Sequence, residues 1–107
     1  MNIKVGQIIG SDRAISSSDG EKLYEVLFHN FFEIRSLDFT NIKYLSSAFL
    51  NESLGKIVLV KNNDLNGVKF VYPEGNSIFS SKVKDVIQNS LLGDVYDSMV
   101  DNAAAGL

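Results

Sequence analysis

Apolar residues recur along the chain at strand spacing and at helix spacing in turn. Residues 3–5 alternate as in a short strand, and the turn that follows ends at Gly10. Ser18 and Glu21 then have the spacing of a capping box, which predicts a helix over residues 19–31 or 19–32. One face of this first helix is apolar and carries Leu23, Val26, Leu27 and Phe31.

The middle of the chain predicts a second strand and a second helix, joined by a turn rich in hydroxyl groups. The strand begins at Phe32 or Glu33 and ends at Phe39, and the helix extends from Ser47 to about Val60. Apolar residues recur at helical spacing along it: Leu50, Leu54, Ile57 and Val58. The end of this helix is rich in β-branched residues, so a strand over residues 56–60 is the competing interpretation.

A third strand and a third helix are expected in the last part of the chain. Val68 to Tyr72 alternates as a strand, which we expect to be central or nearly central in the sheet. Ser80 or Ser81 would cap the helix that follows, and Gly93 would end it. The buried stripe of this helix would consist of Val83, Val86, Ile87 and Leu91.

This alternation of strands and helices predicts a single α/β domain over residues 1–107. Helical crossovers make at least part of a sheet parallel, so we expect a small mixed β-sheet packed by about three helices. Residues 93–107 are either a short amphipathic C-terminal helix or a frayed tail, since Val95, Tyr96, Met99 and Val100 keep helical spacing.

Composition narrows the classes of partner. The chain has 107 residues, of which 45% are hydrophobic and 21% charged, as is ordinary for a globular domain. It has no cysteine, so we expect a reducing, cytoplasmic compartment. No segment resembles a signal peptide or is apolar enough to span a bilayer, so no membrane association is expected. The net charge of −3 argues against nucleic-acid binding.

The inventory for catalysis is poor, and we expect neither an enzyme nor a cofactor site. The sequence has no glycine-rich phosphate loop and no G-x-S-x-G motif. Asp38 and Glu52 flank the serine-rich turn, but Asp38 is expected to bond backbone N–H groups there and Glu52 to pair with Lys56. His29 is the only histidine and is expected near the end of the first helix, so no metal site is predicted.

The segment LDFTNIKYLSSAFLNESLGKI resembles the core of the STAS-like domain of unknown function found in bacteria and phages. It is more distantly similar to the anti-sigma factor antagonists of the STAS superfamily. The STAS-like group typically has three serines, a phenylalanine, a small residue, an acidic residue and a glutamate at this place. The corresponding run in this chain is Ser46, Ser47, Ala48, Phe49, Leu50, Asn51 and Glu52.

The resemblance implies a STAS-like fold and a non-catalytic regulatory module that binds a protein partner. That partner would be a histidine-kinase-like ATPase or an anti-sigma type factor. The contact would involve the serine turn and the exposed side of the second helix, namely Ser46, Ser47, Phe49, Asn51 and Glu52. On this surface we expect Asn51 and Glu52 to be exposed, and Leu50 and Leu54 to be buried.

One departure from the family pattern concerns phosphorylation. Antagonists of the superfamily are switched by phosphorylation of a serine in this turn, and the position that matches it best is Ala48, which has no hydroxyl. Phosphorylation would therefore have to use Ser47 or Ser46, and we expect a constitutively unphosphorylated binder. The alternative function is a phage- or defence-related interaction protein that keeps the fold for binding without phosphorylation switching.

Overall fold

The strands of this protein form two small parallel sheets. A computed structural model describes residues 1–92, and all structural statements below concern that part of the chain. One sheet has three strands in the order β1-β3-β5 and the other pairs β2 with β4. The strands are β1 (Asn2–Lys4), β2 (Arg13–Ala14), β3 (Ser36–Asp38), β4 (Tyr44–Leu45) and β5 (Lys69–Val71).

Helices connect these strands and cover the sheets. The α-helices are α1 (Val5–Ile9), α2 (Ser17–His29), α3 (Ser47–Leu50), α4 (Lys56–Lys61) and α5 (Ser77–Leu91). A π-helical segment, Asn51–Gly55, joins α3 to α4, so that residues 47–61 form one continuous helix, called the central helix below. A short 3₁₀ turn, Phe31–Glu33, follows α2. None of the helices described is long and apolar enough to cross a bilayer.

The predicted α/β class is confirmed, with three long helical segments over the sheets. The prediction of a mixed sheet needs correction, because every strand pair within residues 1–92 is parallel. The register of the larger sheet aligns Ile3 with Leu37 and Leu37 with Phe70. The cause is topological, since each step from β1 to β3 and from β3 to β5 passes through helices, which return the chain to the same end of the sheet.

Two strand predictions were wrong in position. The third predicted strand, β5, lies at an edge of the sheet, while β3 is central. Side chains of β5 are exposed or only partly buried, as suits an edge. The second strand starts later than predicted because the Glu33 N–H bonds the Asn30 carbonyl and closes the 3₁₀ turn before the chain extends at Ile34.

Helix starts were also misplaced where several capping residues follow one another. Ser16, rather than Ser18, caps α2, since its Oγ accepts a hydrogen bond from the Asp19 N–H at 3.2 Å. Asn76, rather than Ser80 or Ser81, caps α5 by accepting from the Phe79 N–H at 3.1 Å. In each case an earlier side chain satisfies the first unpaired amides, so the helix begins there.

The second predicted helix is confirmed, and the competing strand over residues 56–60 was wrong. Ile57 and Val58 are almost fully buried within α4, so packing outweighs their β propensity. The helix ends at Asn62, which adopts a left-handed conformation with φ of 49°. The predicted helix end at Gly93 and the tail over residues 93–107 lie outside the residues that the structure describes.

The core is organised around the central helix, which packs between α2 and α5. Gly20 of α2 lies so close to it that an added Cβ would stand 2.7 Å from the Phe49 carbonyl oxygen and 2.8 Å from Glu52 Cβ. On the other side, a Cβ at Gly55 would stand 3.0 Å from Ser90 Oγ and 3.2 Å from Val86. The contact at Gly20 therefore depends on the absence of a side chain, and the contact at Gly55 leaves little room for one.

We expect Gly20→Ala to destabilise the fold by about 1–3 kcal/mol, because the added methyl group overlaps a backbone carbonyl that cannot rotate away. The higher helix propensity of alanine offsets at most about 1 kcal/mol of this cost. Urea denaturation followed by circular dichroism measures the difference. Gly67→Ala is the matched control, because nothing lies within 4 Å of its added Cβ. Equal midpoints for both variants would contradict the assigned contact.

Candidate functional site

Two helices begin side by side where the strands of the smaller sheet end. β2 leads into α2 and β4 leads into the central helix, and because β2 and β4 are parallel both helices start at the same edge. The Ser46 N–H bonds the Ala14 carbonyl at 3.0 Å and continues the strand pairing up to the helix start. The serine turn predicted as the site is therefore joined to the start of α2 by backbone hydrogen bonding.

Ser46 is the N-cap of the central helix, and its hydroxyl is fully engaged. Its Oγ accepts a hydrogen bond from the Phe49 N–H at 3.1 Å and donates one to the Ile15 carbonyl at 2.5 Å. The first bond satisfies an amide at the helix start, and the second ties the turn to the segment before α2. Ser46 thus has a structural function in addition to its place in the predicted contact surface.

The accessible part of the predicted site is the first exposed face of the central helix. Ser47, Ala48 and Asn51 are exposed, and their spacing of three and four residues places them on neighbouring positions of the helix surface. Glu52 is partly exposed, whereas Leu50 and Leu54 are fully buried. The predicted exposure of Asn51 and burial of Leu50 and Leu54 are confirmed, whereas Glu52 is less exposed than predicted.

Phe49 needs correction as a predicted contact residue. Its side chain is fully buried in the core, so it supports the turn from beneath and is inaccessible to a partner. The cause is the close approach of α2, whose Gly20 packs directly on the Phe49 carbonyl. In the motif, phenylalanine therefore anchors the helix start to the core.

The predicted pairing of Glu52 with Lys56 is also wrong. Lys56 Nζ lies instead over the ring of Tyr24, 4.5 Å from its centroid, and no ion pair joins it to Glu52 within the part of the chain described. The contact with the Tyr24 ring holds the Lys56 ammonium away from Glu52. Glu52 consequently stays available beside the exposed face.

Sequence reasoning missed three exposed apolar residues near the serine turn. Ile15 and Tyr44 are 40% and 54% exposed, and Arg13 stacks over the Tyr44 ring at 5.1 Å. On α5, Lys82 donates a hydrogen bond to the Leu45 carbonyl at 2.8 Å, and Ile78, one turn earlier on that helix, is 65% exposed. Short two-residue strands leave no periodic signal that would have revealed this surface.

We call the exposed group Ile15, Tyr44, Ser47, Ala48 and Asn51 the serine-turn surface. It combines apolar side chains with small polar ones on two adjoining helix starts. Its backbone is held by the strand pairing and by the Ser46 hydrogen bonds, so the surface is preorganised. Tyr44, with Arg13 stacked on its ring, belongs to the residue types that are enriched in protein interfaces.

Asp38, at the end of β3, is an acidic group with a shifted pKa that precedes the serine turn. Asp38 accepts a hydrogen bond from the Thr40 N–H at 2.8 Å, as predicted for this turn. Hydrogen bonds from the side chain and the backbone of Thr40 lower the pKa of Asp38 below its ordinary value of 3.8. Asp38 is therefore ionised at neutral pH and is unsuited to act as a general acid.

No metal-binding constellation exists within residues 1–92, since no three carboxylate or imidazole groups lie close enough together to hold an ion. His29 is the last residue of α2, and its Nε2 lies 3.3 Å from a Glu25 carboxylate oxygen on the same exposed helix face. Its position near the helix end agrees with the sequence prediction.

A second exposed surface lies at the opposite end of α2. Phe28, Phe31 and Phe32 surround the ammonium group of Lys61 at 4.5–5.7 Å, and the ring of Phe32 is 93% exposed. The 13 residues of α2 separate this aromatic end from the serine-turn surface by about 20 Å. It therefore provides an independent control position for experiments on the serine turn.

Comparison with known proteins gives no relative: no family model, curated protein or solved structure matches this chain.

We expect Ser46→Ala to reduce stability by about 0.5–2 kcal/mol, because the Phe49 N–H loses its capping acceptor. Ser47→Ala is the matched control, since Ser47 is an exposed residue inside the first turn, and a change within about 0.5 kcal/mol is expected there. Urea denaturation of the two variants and the parent protein measures both. A larger loss for Ser47→Ala than for Ser46→Ala would contradict the capping assignment.

Proposed function

We propose that this protein is a non-catalytic regulatory module that binds a protein partner through the serine-turn surface. The observation that carries the proposal is the exposed face of Ser47, Ala48 and Asn51 on a helix start whose backbone is held by hydrogen bonds. Rigid, accessible groups of this kind lose little conformational freedom on binding. The nearby Ile15 and Tyr44 supply apolar area for the contact.

The class of partner comes from the resemblance to STAS-like domains and to anti-sigma factor antagonists. The proposed partner is a histidine-kinase-like ATPase or an anti-sigma type factor, and the two proteins would bind each other in the cytoplasm. The residues of that resemblance are the ones that build the turn, since Ser46 caps the central helix and Phe49 anchors it in the core. Asp38, which precedes the turn, is kept ionised by its hydrogen bonds and is unsuited to act as a general acid, which is consistent with a binding function.

The proposed module binds constitutively, without a phosphorylation switch. Phosphorylation of Ser46 would remove the hydroxyl proton that is donated to the Ile15 carbonyl, and so break the link between the turn and the segment before α2. Ala48 has no hydroxyl at the position that best matches the family's phosphorylated serine. Ser47 is exposed and remains the lesser candidate. Ala48 is also the observation that supports the second candidate function, that of a phage- or defence-related interaction protein that keeps the fold for binding without phosphorylation switching.

A photo-cross-linking amino acid at Ala48, in cells that carry the native gene, tests the partner class. We expect a covalent adduct with a kinase-like ATPase or an anti-sigma type protein, identified by mass spectrometry. The same amino acid at Phe32, on the aromatic end of α2, is the control and should give no such adduct. If adducts form only with the cross-linking amino acid at position 32, the binding site lies at the aromatic end of α2 and not at the serine-turn surface.

The affinity of the purified pair gives the quantitative test. We expect Ala48→Arg to weaken binding by about tenfold or more, or about 1.4 kcal/mol, since the long charged side chain separates the two surfaces. Phe32→Arg introduces the same side chain at the far end of α2 and should leave the affinity within about twofold. Isothermal titration calorimetry measures both, and equal effects of the two substitutions would contradict the proposed surface.

Incubation with ATP and the partner ATPase tests the absence of a switch. Intact-mass spectrometry should show no gain of about 80 Da, the mass of one phosphoryl group. Ala48→Ser restores a hydroxyl at the best-matching position and is the positive control. A stoichiometric gain in the parent protein that Ser47→Ala abolishes would replace the constitutive binder with a switched one.

A further inference from the structure

The loop before β5 contains the only Asn-Gly pair of the sequence, Asn66 and Gly67. The two residues form the exposed tip of a tight turn, which is closed by a hydrogen bond from the Val68 N–H to the Leu65 carbonyl at 3.0 Å. Leu65 is buried and Val68 packs against the core, so both ends of the turn are anchored. The tip is no part of the serine-turn surface.

An asparagine followed by glycine carries an electrophile next to a nucleophile. The electrophile is the side-chain carbon Cγ of Asn66, and the nucleophile is the backbone nitrogen of Gly67. Attack of this nitrogen on Cγ closes a succinimide ring, and glycine favours the step because it has no Cβ to crowd the nitrogen or to restrict backbone rotation. Even an added Cβ at Gly67 would meet nothing within 4 Å, so the surroundings of the pair are open.

The hydrogen bonds of the turn leave both reacting groups available. Within residues 1–92, the Gly67 N–H donates to no acceptor and the side-chain amide of Asn66 has no hydrogen-bond partner. Asn66 is held through its backbone instead, since its N–H donates to Asp64 Oδ1 at 2.9 Å. The side chain can therefore rotate towards the Gly67 nitrogen without breaking a hydrogen bond of its own.

The fold protects other residues that could form the same ring. Asn76 precedes a serine, but its Oδ1 accepts a hydrogen bond from the Phe79 N–H at 3.1 Å as the cap of α5. Asn89 also precedes a serine and lies inside α5, where backbone N–H groups are paired. Asp19 precedes Gly20, whose N–H is hydrogen-bonded at the start of α2. The Asn-Gly pair of the loop is therefore the most reactive of these pairs.

We propose that Asn66 is a site of spontaneous deamidation through a succinimide with Gly67. The bond between the Gly67 nitrogen and Cγ forms, this nitrogen gives up its proton, and the side-chain nitrogen leaves as ammonia. Water then opens the ring at one of its two carbonyls. Attack on the side-chain carbonyl gives aspartate, and attack on the backbone carbonyl gives isoaspartate. Either product has exchanged an amide for a carboxylate and so gains one negative charge.

The isoaspartate product alters the turn before β5. Its backbone passes through the former side-chain methylene, which adds one atom between Leu65 and Val68, the two residues whose hydrogen bond closes the turn. β5 begins at Lys69 and, within residues 1–92, is paired on one side only. We expect the longer turn to loosen β5, whereas the aspartate product keeps the normal backbone.

Incubation of the purified full chain in mildly alkaline buffer, followed by peptide mapping with mass spectrometry, tests the site. We expect a gain of about 1 Da, the difference between an amide and a carboxyl group, on the peptide that contains Asn66. Isoaspartate should appear beside aspartate, because direct hydrolysis of the side chain gives aspartate alone. The rate should rise with pH, since the attacking nitrogen must lose its proton.

Gly67→Ala is the variant that tests the ring mechanism. It should slow the gain by about tenfold or more, because its Cβ restricts the rotation that closes the ring. Equal rates in this variant and in the parent protein would overturn the proposal. So would aspartate as the only product, or faster modification at Asn76 or Asn89 than at Asn66.

Hydrogen–deuterium exchange tests the effect on β5. Asn66→Asp is the matched control, because it carries the same charge on a normal backbone. Peptides that cover Lys69–Val71 should exchange faster in the chromatographically separated isoaspartate form than in the parent protein or in Asn66→Asp. Equal exchange in all three would refute the loosening of the strand. Faster exchange in Asn66→Asp to the same extent would refute the backbone as its cause and assign the effect to the charge.

Discussion

The close contact between α2 and the central helix is the constraint on which the rest of the structure depends. At Gly20 the two helices approach until no space for a Cβ remains, and the backbone of Phe49 forms the other side of the contact. That approach buries the Phe49 ring and fixes where the central helix begins. The exposed face of Ser47 and Ala48 is then directed outward, so a buried glycine contact determines what the surface presents.

The π-helical segment adapts the central helix to its neighbours on both sides. It contains Ser53, the buried polar residue of the core, whose hydroxyl donates to the Phe49 carbonyl at 2.8 Å. This bond satisfies the hydroxyl without a partner from another element. Gly20 of α2 contacts Phe49 before the π-helical segment, and Gly55 at its end contacts α5. A regular α-helix has fewer residues per turn, so it would present Gly55 at a different angle relative to Phe49.

Sequence patterns predicted which helices and strands exist better than they predicted the residues at which these begin and end. The apolar spacing of Leu50, Leu54 and Ile57 identified a helix correctly despite its β-branched end, because long-range burial and periodicity agree there. The caps of α2 and α5 were misplaced, since several serines or an earlier asparagine could each satisfy the same amides. Neither the edge position of β5 nor the π turn has a local signature, because both follow from how distant segments pack.

The exposure of Asn51 and the burial of Leu50 and Leu54 were predictable, but which residues of the motif support the turn and which are accessible to a partner was not. Serine and phenylalanine in the run from Ser46 to Glu52 are equally compatible with contact or support until the neighbouring helix is placed. Once α2 is present, Ser46 and Phe49 become supports and Ser47, Ala48 and Asn51 become the accessible face. A phosphate on Ser46 would remove the proton that Ser46 donates to the Ile15 carbonyl and would detach the turn from the segment before α2, so the geometry of the turn favours binding over switching at that residue.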